Sequence, residues 1–307
     1  MWDSGGNILR TFRHSPILRI GLVLAVVAVA TGCDKLGLGS TSPTAPTGPL
    51  AAGSTIVYTA VGASDANGVG SSSECLPFAD CPNGMGYVPV TVRALTAQGF
   101  KVTTLNLGIP TAVIGRDFQT LGQQYNRTIL GNFIEHEMSF VQTNATLVSI
   151  FAGVNEINVI TAALGGGAGG TDTNGYIDNQ VKAFGVDYAT LLAGIRVRAG
   201  APRFVILNVP NAAGLPFLIG VSLAQRQAAQ RAAVGMAKIV NALASSSVSV
   251  VDLMCDARSY LASNYSSDGL HPNDAGYAFI SGEVVKAIAN GSYPSPQASC
   301  AGMTIVP

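Results

Sequence analysis

Five short runs of apolar and β-branched residues, spaced by stretches long enough for helices, constrain this chain more than any other feature. They are Thr55 to Ala60, Val102 to Leu107, Thr146 to Ala152, Phe204 to Val209 and Val248 to Met254. Each is apolar nearly throughout, the pattern of strands covered on both faces rather than of strands with one wet side. The intervals supply the helices that would cover them. Val88 to Gln98 ends at Gly99, Ile177 to Arg198 runs into Gly200, Ser222 to Leu243 is rich in Ala and Gln, and Asp274 to Ala289 stops before Gly291. Phe118 to Phe140 is a less regular helical stretch. Strand and helix in alternation predict an α/β fold, a mainly parallel five-stranded sheet between two helical layers, with functional residues at the carboxyl ends of the strands.

Composition narrows the class of function. The chain has 307 residues, of which 17 are basic and 17 acidic. So even a balance offers no field that would gather nucleic acid.

The first 33 residues read as an export signal. Arg10, Arg13 and Arg19 precede an apolar run from Ile20 to Ala30, which is short for a membrane span and is followed by small residues. Ala30-Thr31-Gly32-Cys33 resembles the bacterial lipobox, which implies lipidation of Cys33, a periplasmic or cell-surface lipoprotein, and membrane contact only through that lipid. The other reading is an ordinary secretory signal cut nearby. Residues 34–52, rich in Gly, Ser, Thr and Pro, form an expected flexible tether with a reach of roughly 25 Å, and the folded body is expected over 53–307. Setting Cys33 aside leaves four cysteines and three possible pairings. Cys75 with Cys81 would close a small loop, and Cys255 with Cys300 would pin the tail to the last strand, as suits an oxidising compartment.

Chemistry concentrates in Ser267-Asp268-Gly269-Leu270-His271-Pro272-Asn273-Asp274-Ala275-Gly276-Tyr277. A carboxylate three residues before an imidazole can fix its tautomer and steady its cation while the ring takes a proton from a serine. Three loops at predicted strand ends hold the remaining parts. Ser64, in Val61-Gly62-Ala63-Ser64-Asp65, sits where small residues permit a sharp strand-to-helix turn. Gly108, in Asn106-Leu107-Gly108-Ile109-Pro110, would let a backbone amide approach a ligand. Asn155, in Phe151-Ala152-Gly153-Val154-Asn155-Glu156, carries an amide able to donate to an oxyanion. Each has a plainer role open to it: turn serine, turn glycine, helix N-cap.

In this order, each at a strand end, the four blocks resemble the SGNH branch of the GDSL hydrolases, over about Gly53 to Ala289. The resemblance implies a flavodoxin-like three-layer α/β/α sandwich and a serine hydrolase of carboxylic esters needing no cofactor. It implies Ser64 as nucleophile, His271 as general base and Asp268 as its orienting acid. The oxyanion hole would be the Ser64 amide, the Gly108 amide and the Asn155 side chain. Two positions depart from the family pattern. Ala63 precedes the serine and Asp65 follows it, leaving Ser71, Ser72 and Ser73 as other serines on the loop. Glu156 stands where aspartate is usual, one methylene longer.

His136 begins Glu135-His136-Glu137-Met138, as a zinc-protease helix might, but Phe140 occupies the second ligand's place, so no metal is expected. The apolar loop after the fourth strand, with Leu215 and Phe217, could wall an acyl pocket. The glycine-rich Leu164 to Asn174 stretch reads as a lid or an insertion. These loops tilt the expected substrate towards short or medium acyl esters or lipids. A carbohydrate O-acetylesterase and a tethered, non-catalytic binding protein are the alternatives.

Overall fold

Where β-branched and apolar residues run together the chain is extended. The computed structural model describes residues 50, 51, 53–290 and 292–307, so the expected signal, Cys33 and nearly all of the tether lie outside the described residues. The strands are β1 (Thr55–Gly62), β2 (Lys101–Asn106), β3 (Leu147–Phe151), β4 (Arg203–Leu207) and β5 (Val248–Val251). The helices are α1 (Ser64–Asn67), α2 (Tyr87–Ala97), α3 (Arg116–Gln124), α4 (Phe133–His136), α5 (Val154–Gly165), α6 (Thr173–Ala199), α7 (Leu223–Asn241) and α8 (Asp274–Ala289). The five strands form one parallel sheet in the order β2-β1-β3-β4-β5.

Helices form layers around that sheet. α2 packs on α8, while α3, α5, α6 and α7 pack among themselves, giving the expected three-layer α/β/α sandwich. All residues of β3 and β4 are buried. Burying a side chain such as Ile150 or Val205 contributes roughly 1.5–3 kcal/mol. β2 departs from the expectation that every strand is covered on both faces: it is one of the sheet's two edges, and Lys101, Thr103 and Thr104 are exposed. Thr103 and Thr104 have the β-branched stiffness of a strand residue and a hydroxyl that suits water, so composition alone did not separate edge from centre.

Local signals set most helix ends. Ser222 and Gln225 form a capping box at the start of α7, and Asn273 accepts from the Ala275 and Gly276 amides at the start of α8. α5 was not among the anticipated helices, because its first turn falls on the Gly-Val-Asn-Glu block that drew attention as a loop. The Leu164 to Asn174 stretch ends α5, turns, and starts α6, with Gly166 packed on the Tyr125 ring.

Cys75 bonds Cys81, and Cys255 bonds Cys300, with Cα atoms 5.7 and 5.6 Å apart. The second ties the tail to the chain just beyond β5. Among the described residues no helix is long and apolar enough to cross a membrane.

The order of strands matters most for function. From β1 the chain crosses to β2 on one side, whereas β3 pairs with β1 on the other, so connections diverge at the carboxyl ends of β1 and β3. A crevice opens at such a switch point.

Candidate active site

Ser64 stands two residues beyond β1, at that crevice. The turn that carries it is held from several directions: the Gly62 amide donates to Glu137 Oε2 at 2.9 Å, Asn106 Nδ2 to the Ala66 carbonyl at 2.7 Å, and Asn67 Nδ2 to the Gly108 carbonyl at 2.8 Å. Glu137 is fully buried, and burial pushes its carboxyl well up despite the backbone amides of Gly62 and Ile109.

The last block arrives from the far end of the sheet. His271 Nε2 lies 2.9 Å from Ser64 Oγ, and its Nδ1 lies 2.6 Å from Asp268 Oδ2. Because a carboxylate only accepts, this geometry puts the proton of a neutral ring on Nδ1 and turns the lone pair of Nε2 towards the serine hydroxyl. Asp268 is itself fixed: its Oδ1 accepts from Ser266 Oγ and from the Leu270 and His271 amides, at 2.8, 2.8 and 2.9 Å. Burial raises its carboxyl, but those bonds together with the His271 ring outweigh it and hold the group down at about 2.

The Asp268 loop is braced by close backbone approaches. A β-carbon on Gly276 would fall 2.2 Å from the Asn264 carbonyl oxygen, so only glycine fits there. On the other side the segment after α1 lies directly on the histidine: Gly70, at φ 89°, faces the His271 β-carbon, and Ser72 bonds Asp274 through both amide and hydroxyl at 2.7 and 2.6 Å. Ser72 is thereby engaged elsewhere, and of the loop's serines it is Ser64 that meets His271.

Asn155 lies on the first turn of α5, not at its N-cap, which is Gly153. Its Nδ2 donates to the Ala112 carbonyl at 2.8 Å, leaving one amide proton for the cavity it lines with Ser64. The next residue, Glu156, is buried and accepts from the Ile114 amide. Both side chains therefore moor α5 to the 112–114 segment. Its extra methylene reaches that amide. Burial pushes the Glu156 carboxyl up to about 7 against the amides that favour its charge.

Gly108 corrects the sequence expectation. Its N–H donates to Asn106 Oδ1 at 3.1 Å, so the amide is committed within its own loop. The amide carried a signal that could have been read: an asparagine two residues before a glycine can close a turn through its side chain. Further along that loop Thr111 holds a left-handed conformation, φ 64°, unusual for a β-branched residue.

The cavity lined by Ser64 and His271 has a volume of about 40 Å³. Leu215 lines it beside Phe151 and Leu270. Phe217 does not line it; its amide donates instead to the Gly269 carbonyl at 3.1 Å, bracing the histidine loop. Asp65 lines the cavity as well, a residue noted in the sequence only as a departure. His136 takes a local part, its Nδ1 accepting from the Asn132 amide at 3.1 Å.

A hydroxyl, an imidazole and a carboxylate thus stand in one hydrogen-bonded row at the carboxyl edge of the parallel sheet of an α/β/α sandwich. The chain belongs to the GDSL-like lipase/acylhydrolase family, whose sequence model matches residues 60–279. Two solved structures share the fold. The lipase Lip_vut3 from a goat rumen metagenome is 17% identical, covering 76% of this chain and 98% of its own, with a TM-score of 0.52. An extracellular lipase from Streptomyces rimosus is also 17% identical, covering 73% of this chain and 95% of its own, with a TM-score of 0.51. No curated protein matches the chain.

Proposed function

We propose that this protein is an exported serine esterase that cleaves short-chain carboxylic esters through an acyl-enzyme. The observation that carries the reading is the pair of contacts at His271, 2.9 Å to Ser64 and 2.6 Å to Asp268. Ser64 attacks the ester carbonyl as His271 takes its proton, Asp268 stabilises the imidazolium, and the ring then protonates the departing alcohol. Water repeats the sequence on the acyl-enzyme. The tetrahedral oxyanion is held by the Ser64 amide and by the free Asn155 amide proton, two donors fixed before the charge appears.

A volume of about 40 Å³ supports a small acyl group. For that reason a carbohydrate O-acetylesterase is the second reading, and acetyl release from xylan or peptidoglycan, set against a chain-length series of model esters, separates the two. Two disulfides support an oxidising compartment, with Cys33 as the lipidated first residue of the mature chain and 34–52 as its tether.

The deciding experiment is labelling with a fluorophosphonate probe. Label on the Ser64 peptide that disappears in Ser64→Ala and His271→Ala supports the esterase; a folded wild-type protein that takes no label is instead a tethered binding protein on the same fold.

A further inference from the structure

Asp65 is an acidic side chain without an ion-pair partner among the described residues. It lines the cavity that holds Ser64, Asn155 and His271, and also a smaller one, about 10 Å³, lined by Asn155 and Glu156. Among the described residues its carboxylate makes no ion pair and accepts a hydrogen bond only from its own amide. The one cation near by, Arg258, lines the same cavity but is taken up by Asp256 and Glu283 at 2.5 and 2.8 Å. The titratable groups that feel Asp65 are His271, Asp268, Tyr265, Tyr277 and Tyr87, and of these only His271 favours its charge.

Asp65 is partly exposed, and a carboxylate drawn partly out of water with no donor gained in return is less well solvated than a free one. Burial accordingly pushes the Asp65 carboxyl up, against the opposing pull of His271. A ligand that brought its own donor would relieve that cost. With the ester carbonyl on Ser64 and its oxygen towards Asn155, the acyl α-carbon enters the cavity that Asp65 lines. Asp65 follows Ser64 directly in the chain, so the donor must sit close to the carbonyl.

We infer that Asp65 is a specificity residue that selects acyl groups bearing a hydrogen-bond donor, a hydroxyl or an ammonium, next to the scissile carbonyl, and rejects acyl groups bearing a carboxylate. This rests on the esterase reading above. The apolar walls recognise nothing in an acetyl group except its size, whereas a hydrogen bond to a charged group separates a substrate from its deoxy analogue by roughly 10- to 100-fold.

The test compares kcat/KM for methyl acetate, methyl glycolate, methyl glycinate and monomethyl oxalate in the wild type, Asp65→Asn and Asp65→Leu. Ratios between proteins cancel the intrinsic reactivity of each ester. The glycolate-to-acetate ratio should fall at least tenfold from wild type to Asp65→Leu. Asp65→Asn, which keeps an acceptor without the charge, should retain part of the glycolate preference, lose the glycinate preference and admit oxalate. Equal ratios in all three proteins overturn the inference. Fluorophosphonate labelling of Ser64 in the same preparations distinguishes the failures: labelled protein with unchanged ratios sinks only the role of Asp65, while unlabelled wild type sinks the esterase and this specificity with it. If Asp65→Leu does not fold, the charge-only variant Asp65→Asn decides through the glycinate and oxalate ratios.

Discussion

Gly70 lies against His271 so closely that a methyl group at position 70 would come within 2.8 Å of the histidine β-carbon. The contact joins the loop that follows the serine to the loop that carries the imidazole. Serine and histidine are thus positioned by each other's supports as well as by the sheet.

From this contact, Gly70→Ala should displace His271. The substitution also strains the backbone, since Gly70 sits at φ 89°. A misplacement of about an ångström costs roughly 100-fold in rate. Steady-state kinetics on a short ester should show kcat down by about that factor, with KM moving little; an unchanged kcat would mean the strap yields and does not position the ring.

Asn155 is expected to act on the transition state and not on binding. Asn155→Ala removes one oxyanion donor, worth about 3 kcal/mol, or roughly 100-fold in kcat. The Ala112 carbonyl also loses its partner, so a thermal melt must accompany the kinetics. A loss confined to KM would contradict the assignment.

Glu156 makes stability depend on pH. Its folded value of about 7 exceeds the ordinary 4.5, so the folded state holds the proton more tightly. That contribution is whole below 4.5 and is lost as pH rises through about 7, roughly 3 kcal/mol at most. Glu156→Gln keeps an acceptor for the Ile114 amide and cannot ionise. Chemical denaturation at pH 5 and pH 8 should show a smaller decline in the variant than in the wild type; parallel declines would refute the buried carboxyl as their source.

The Cys255–Cys300 bond closes a loop across a separation of 45 residues. By chain entropy it stabilises the fold by up to about 4 kcal/mol. Cys300→Ser should lower the denaturation midpoint markedly and leave kcat nearly unchanged, because neither cysteine lines the cavity that holds Ser64. Equal midpoints would show that the tail is held by its other contacts, among them Gln230 to the Val306 carbonyl at 2.8 Å.

Much of the fold is local in origin and was therefore readable. The five strand runs match the five strands to within a few residues, since a run such as Phe204 to Leu207 has few ways to hide its side chains except between helical layers. Asp268 and His271 were readable for a similar reason: two residues three positions apart on one loop can meet without help from the rest of the chain. The edge position of β2 was not readable, because Val102 and Thr103 serve an exposed strand as well as a covered one.

The sequence by itself determined the alternation of strand and helix, the helix caps, and the residue types that can move a proton from a hydroxyl to an imidazole. All of these depend on neighbours a few positions away. The tertiary structure alone decided which groups remain free once the chain has closed on itself. It put Asn106 on the Gly108 amide, Gly70 on His271 and Glu137 behind Gly62, and among the described residues it left Asp65 without an ion pair. Whether a donor or acceptor is spent or available depends on segments far apart in the chain meeting at one sheet edge, and no local pattern records that meeting.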